Sequence, residues 1–303
     1  MKTTSKIIIG FVAALVLLAI FWPFIFFTSV VPKKDDSRNV LSLTDSTVTI
    51  TPGQFNKLTF DQSLVTVICA DNDSYDNEST VLVYNSFEEE PLHYVIKEDP
   101  EAKEPRIEMN SSWADNLMVD IDSDGQVTLF PDMHRLKEND PELEVVYIYP
   151  DNNVVATIYV PKGMLKMIEP HGLRTIEVSL NGISEPISLM NNSYLCNLYF
   201  SECNISDIYI KNNERIYAEF EKSRIYNIFH DGNQERVSNY LGITNTTNSS
   251  IENLYLYGGE CRADISEGVS LRSIILSPST DTTSTMTNYQ LTCPKTVLIK
   301  SEY

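Results

Sequence analysis

Between Leu195 and His230 apolar residues return every ten positions. Leu198, Ile208, Ala218 and Ile228 form one column, and Phe200, Ile210, Phe220 and His230 form a second two residues on. Leu195, Ile205 and Ile225 make a third, with Ile216 beside the slot that Arg215 occupies. A helical period of 3.6 drifts off one face within two such units, whereas a strand plus a turn of fixed length keeps step. At about 3.3 Å per residue a seven-residue strand spans about 23 Å and leaves three residues for a corner. Two such legs make a coil of about twenty residues. Leu198 then lies beside Ala218 on one wall and Ile208 beside Ile228 on the other, about 4.8 Å apart. The pattern predicts an all-β body folded as a flattened parallel β-helix. Its hand is expected to be right, because parallel crossovers are right-handed in about 98% of cases. A row of equal antiparallel hairpins alternates in the same way and is the competing architecture.

The same reading extends outwards from the ladder. Thr47–Ile50, Phe55–Phe60 and Leu64–Ile68 alternate as strands, with Pro52-Gly53 and Asp61-Gln62 between them. Val81–Tyr84, Tyr94–Ile96, Val145–Tyr149 and Ala156–Val160 read as further strands. Glu88–Pro91 and Glu98–Glu101 are charged and broken by proline, so 86–106 is expected to be a loop region. The polar stretch 231–250 is expected to be a second loop. The ladder then resumes, with Ile251, Leu254 and Leu256 recurring twenty positions later as Leu271, Ile274 and Leu276. Val297–Ile299 follows as a strand to cover the open end.

Asp120-x-Asp122-x-Asp124-Gly125 matches the first half of a calcium loop, in which alternate carboxylates face one hard cation. Pro131 stands where the bidentate glutamate belongs, and the flanks alternate as strands. A tight hairpin turn accounts for these residues without a metal.

Ile7 to Phe27 is twenty-one residues without a charge. As a helix it is about 32 Å long, enough for a hydrocarbon core of about 30 Å. Bulky Phe26 and Phe27 stand where a signal peptidase needs small residues, and Trp22 and Phe24 suit an aromatic belt. One retained transmembrane helix over 7–31 is expected, between a cytoplasmic N-terminus (1–6) and a linker (32–46), followed by the β body from 47 to 303. Lys2 and Lys6 before the span balance Lys33, Lys34 and Arg38 after it, so the positive-inside rule does not decide orientation. The long polar body favours export, placing it in the periplasm or at the cell surface as a single-pass membrane protein.

All 42 acidic residues follow the span, against 21 of the 23 basic ones, Lys2 and Lys6 being the other two. Such a surface repels nucleic acid and anionic lipid. Five cysteines include no C-x-x-C pair and read individually as small buried hydrophobes, Cys196 sharing the inward parity of Leu198. Seven N-x-S/T sequons reflect an Asn- and Ser-rich composition. His93, His134, His171 and His230 are dispersed, and no metal-binding histidine pair, G-x-S-x-G elbow or phosphate loop is present. No catalytic residue, cofactor or metal is expected.

Several pieces occur in a familiar order: Phe55-Asn56-Lys57-Leu58, Trp113-Ala114-Asp115-Asn116-Leu117, Asp124-Gly125-Gln126-Val127-Thr128-Leu129, Ile158-Tyr159-Val160-Pro161 with Leu165, then ten-residue strand units. In that order, over Val48 to His230, the chain resembles the auto-transporter adhesin head (GIN) domain family of Bacteroidetes envelope proteins. The resemblance implies a β-helical, non-enzymatic, envelope-exposed domain and carries no catalytic or binding residue across. The corner Ser201-Glu202-Cys203-Asn204 departs from the glycine-serine turns typical of that family.

The expected function is adhesion or interaction through the β-helical body, with a glycan or an envelope protein as partner. A periplasmic scaffold or sensor docking on another membrane protein is the alternative, and a β-helical polysaccharide lyase a more distant one. Tyr209 and Phe229 lie twenty residues apart with outward parity and are the candidate binding surface.

Overall fold

The computed structural model describes residues 40–41, 46–61, 82–84, 92–114, 117–131, 145–148, 154–212, 214–232, 239–258, 260–277 and 288–301. The chain divides into two units, Met1–Arg38 and Asn39–Tyr303, and every described residue falls in the second. The segment 7–31 expected to cross the membrane, the N-terminus 1–6 and most of the linker 32–46 lie outside the described residues, as do Leu64–Ile68 and Cys69. No helix among the described residues is long and apolar enough to cross a membrane.

The described residues are all-β apart from one helical turn, α1 (Ser111–Ala114). The first strands are β1 (Val40–Leu41), β2 (Thr47–Ile50), β3 (Lys57–Asp61), β4 (Leu82–Tyr84), β5 (Leu92–Asp99), β6 (Arg106–Asn110), β7 (Leu117–Ile121), β8 (Gln126–Pro131), β9 (Val145–Ile148) and β10 (Val154–Pro161). Two fifteen-residue strands follow, β11 (Met167–Asn181) and β12 (Ile187–Ser201). Then come β13 (Asn204–Asn212), β14 (Arg215–Glu221), β15 (Arg224–Gly232), β16 (Tyr240–Thr247), β17 (Ser250–Gly258), β18 (Glu260–Ile265), β19 (Leu271–Leu276), β20 (Asn288–Thr292) and β21 (Leu298–Ser301). β1, β9 and β4 form a small parallel sheet. The others join one large sheet.

That sheet consists of two ladders in which strands pair with the next but one in sequence. In the first, β8, β3, the first half of β11, the first half of β12, β13, β15, β17, β19 and β21 pair in parallel. In the second, β10, β5, the second half of β11, the second half of β12, β14, β16, β18 and β20 do the same. β11 and β12 are long because each contributes to both ladders. Antiparallel pairs occur only at the N-terminal end of the described residues, in the β7–β8 hairpin and where β6 joins β2 and β10.

The register pairs Leu198 with Ala218 on one ladder and Ile208 with Ile228 on the other, as the ten-residue period predicts. All four are at most 1% exposed and belong to one core supplied by both ladders. Ile251, Leu254 and Leu256 pair with Leu271, Ile274 and Leu276. The third column needs correction, because Leu195 is only partly buried and pairs with Arg215, while Cys196 and Ile216 point into the core beside it. Tyr94–Ile96 is a strand as read, with both residues fully buried, but it extends over Leu92–Asp99 as β5 and takes in Glu98 and Asp99, so 86–106 is not a loop throughout. β16 lies inside the loop expected over 231–250, with Leu241 and Ile243 fully buried. Short apolar runs inside polar surroundings suffice when only alternate residues reach the core.

The corners repeat. Gly182, Glu202, Lys222 and Asn248 all have positive φ, at 71°, 56°, 48° and 51°. Gly182 donates its N–H to the Ser201 carbonyl, Glu202 to that of Glu221, and Lys222 to that of Thr247, so the ladder continues through the bend. The next residue turns back towards the core: the Cys203 N–H donates to the Ser223 hydroxyl and the Ser223 N–H to the Ser249 hydroxyl. The corner that lacks the expected glycine-serine pair is thus built by a left-handed residue followed by a small polar one.

A polar row runs along the first ladder. Asn227 donates to Asp207, Asn253 to Asn227, and Ser273 to Asn253, at 2.9, 3.0 and 2.7 Å. Each side chain satisfies the one a rung below, so half-buried polar groups lose no hydrogen bond.

Candidate functional site

Strands β13, β15 and β17 present their odd-numbered ends outwards. Tyr209 pairs with Phe229, and Phe229 with Tyr255. Their rings stack at 4.9 and 4.7 Å between centroids, with interplanar angles of 9° and 18°. Tyr257, two residues beyond Tyr255, lies parallel to it at 6.2 Å and to Phe229 at the same distance. The spacing is that of the strands themselves, so the backbone register holds the stack. Tyr209 is 47% exposed.

The structure thus brings together the two candidate residues and extends them by Tyr255 and Tyr257. Sequence periodicity missed these two, because Phe229 and Tyr255 are twenty-six positions apart where Tyr209 and Phe229 are twenty apart. The signal that could have found them is the Tyr-x-Tyr alternation inside Leu254–Tyr257.

The stack borders a groove of about 580 Å³ lined by Met167, Ser188, Met190, Tyr209, Lys211 and Asp231, among others. Lys211 and Asp231 face each other on adjacent rungs. Next to Met167, on the outer side of β11, the Glu169 carboxylate is nearly buried. It is ion-paired with Lys57, and His171 and Asn192 approach it at 2.8 and 2.9 Å. Burial pushes the Glu169 carboxyl up, but hydrogen bonds from Lys57 and His171 outweigh this and hold it below its ordinary value. An internally paired cluster of this kind is a brace between β3, β11 and β12.

The outer face of the second ladder is different in kind. His93 hydrogen-bonds the Ser179 hydroxyl at 2.7 Å, and the Tyr199 hydroxyl donates to Glu177 at 3.2 Å. Burial lowers the His93 pKa and the nearby Glu177 charge partly offsets this. Burial, followed by Glu177, pushes the Tyr199 phenol up to about 12. Here the aromatic groups are tied down by polar neighbours.

At the acidic turn, the Asp122 carboxylate accepts the N–H groups of Asp124 and Gln126 at 2.8 and 2.9 Å. Gly125 has a φ of 76°, and Ile121 pairs with Val127 across the hairpin. The Gly125 carbonyl accepts the N–H of Asn56 at 2.9 Å, and the Asn56 carbonyl accepts those of Lys166 and Met167. Three separated pieces of sequence therefore meet at Asn56. His230 is fully buried between Ile210 and Leu256, and burial lowers its pKa to about 4. Cys196, Cys203 and Cys261 are buried thiols outside any disulfide.

No family model matches the chain. No curated protein matches it either. Among solved structures, the chain is similar to a candidate adhesin from Bacteroides fragilis, at 11% identity and a TM-score of 0.39, covering 86% of this chain and 99% of that one. It is similar to a candidate adhesin from Parabacteroides merdae (12% identity, TM-score 0.31, 85% and 96% covered). It is also similar to a candidate lipid-binding protein from Parabacteroides distasonis (10% identity, TM-score 0.31, 85% and 96% covered).

Proposed function

We propose that this protein is a non-enzymatic interaction module of the bacterial cell envelope. Its body is a flattened right-handed parallel β-helix of the GIN type, anchored by the apolar segment 7–31 and held outside the cytoplasm. The next-but-one parallel pairing of β12 through β19 supports the β-helical reading, and the hydrogen bond from Asn56 to Gly125, which joins two of the GIN-like sequence pieces, supports the family. The observation that carries the function is the outward stack Tyr209–Phe229–Tyr255. Large aromatic groups aligned on one exposed face offer rigid contact area with little side-chain entropy to lose, the composition of an interaction hot spot.

The test is photo-crosslinking in the native host from position 255 of the full chain, with position 199 on the other ladder as control. The expected result is a discrete adduct from 255 that 199 does not give. Equal adducts from both positions, or none from 255, would contradict the reading. The chain should also stay with membranes after alkaline carbonate extraction, and release with a new N-terminus near residue 30 would replace the anchor by a cleaved signal.

A further inference from the structure

The aromatic stack ends abruptly. Tyr209 pairs on its other side with Ser188, and Ser188 pairs with Met167. One rung therefore carries a hydroxymethyl group where its neighbours carry rings, and the groove described above lies at this gap. Phe229 has rings on both faces, whereas Tyr209 has one on only one face. Two rungs separate Tyr209 from Met167, roughly 9.6 Å at ordinary strand spacing. A flat ring touching both sides needs about 7–8 Å. The gap is one ring wide.

Its rim is polar on one side. Lys211, two residues along the strand from Tyr209, supplies donors and makes no ion pair or hydrogen bond with another described residue. Asp231 lines the same groove two rungs from Ser188, on the far side of Tyr209. Ser188 lies on the rung between Tyr209 and Met167, and Met190 lines the groove two residues along. An aromatic guest would leave Lys211 and Ser188 unused. A sugar ring has an apolar face for Tyr209 and hydroxyls around its edge for Lys211 and Ser188.

We infer that the Ser188 gap is a subsite for a single pyranose ring, which stacks on the open face of Tyr209 and is held at its edge by Lys211 and Ser188. The inference rests on the reading of this face as an interaction surface and names the ligand class it takes.

The experiment uses the full chain in a detergent without a sugar headgroup. Saturation-transfer NMR is recorded with the methyl pyranosides of glucose, galactose, mannose and N-acetylglucosamine, and with indole as the aromatic probe. At least one pyranoside is expected to bind with transfer to its ring protons. Ser188→Phe, which fills the gap from an outward position, should weaken that binding at least tenfold with an unchanged melting temperature. Lys211→Met should weaken it severalfold, which covers the case in which Ser188→Phe disturbs the fold. Indole binding that Ser188→Phe abolishes, without pyranoside binding, would overturn the sugar assignment. Absence of any binding, or binding indifferent to Ser188→Phe and Lys211→Met, would overturn the subsite. Either result leaves the interaction face standing if crosslinking from position 255 succeeds.

Discussion

Tyr209 and Phe229, twenty residues apart in sequence, lie face to face with ring centroids 4.9 Å apart on the outside of the first ladder. Their immediate neighbours Ile208 and Ile228 pair with each other on the inside, each 1% exposed. One residue of sequence thus separates core from surface, which makes the parity testable. Ile208→Asp buries an uncompensated carboxylate and should destabilise by several kcal/mol. Tyr209→Asp loses a ring contact at the surface and should cost about 1 kcal/mol or less. Urea denaturation of the two variants compares them, and equal or reversed costs would refute the assignment.

The corner conformations make a second pair of variants informative. Gly182 and Glu202 occupy equivalent left-handed positions on paired strand ends twenty residues apart. An added Cβ at Gly182 meets nothing closer than 3.9 Å, so Gly182→Ala tests conformation without collision and should destabilise by about 1–2 kcal/mol. Glu202→Gly should stabilise by about 0.5–1 kcal/mol, because a side chain is removed where only glycine is unstrained. The same denaturation measurement reads both signs.

His230 gives the core a pH dependence. Burial holds its pKa near 4 in the folded chain, below the ordinary 6.5, so the unfolded chain takes up the proton first as pH falls. Its contribution is complete above about pH 6.5 and is lost between there and about pH 4, on the order of 3 kcal/mol in all. His230→Leu, flanked by Ile210 and Leu256, removes this loss. The difference in unfolding free energy between wild type and variant should therefore change across that window and be flat above it. A pH-independent difference would contradict a neutral buried imidazole.

The acidic turn should be indifferent to calcium. Its central carboxylate, Asp122, is already engaged by two backbone N–H groups of the hairpin. Millimolar calcium should leave the melting temperature of the full chain unchanged. A calcium-dependent rise that Asp122→Asn abolishes would make the turn a cation site.

The ladder was legible wherever the spacing between paired strands was constant. Leu198, Ala218, Ile208 and Ile228 reveal two ladders because every ten residues return the chain to the same depth. Six additional residues between Phe229 and Tyr255, relative to the twenty-residue spacing, break that step, and the aromatic stack then looks half its length. Leu195 misled for a local reason: the chain bends near Ser193, and Cys196, not its larger neighbour, turns inwards. The corners were illegible because Glu202 and Lys222 hold a conformation usually marked by glycine. The Ser188 gap could be seen only once the rungs were in register, since a serine among polar residues carries no signal of its own.

The central claim is that the Tyr209 face is where this protein meets its partner, and the double variant Tyr209→Ser with Phe229→Ser tests it most directly. Both side chains lie outside the core, so the full chain should fold with a melting temperature close to wild type, while the adduct captured from position 255 in the native host disappears. A well-folded double variant that still gives the adduct at wild-type yield would contradict the account.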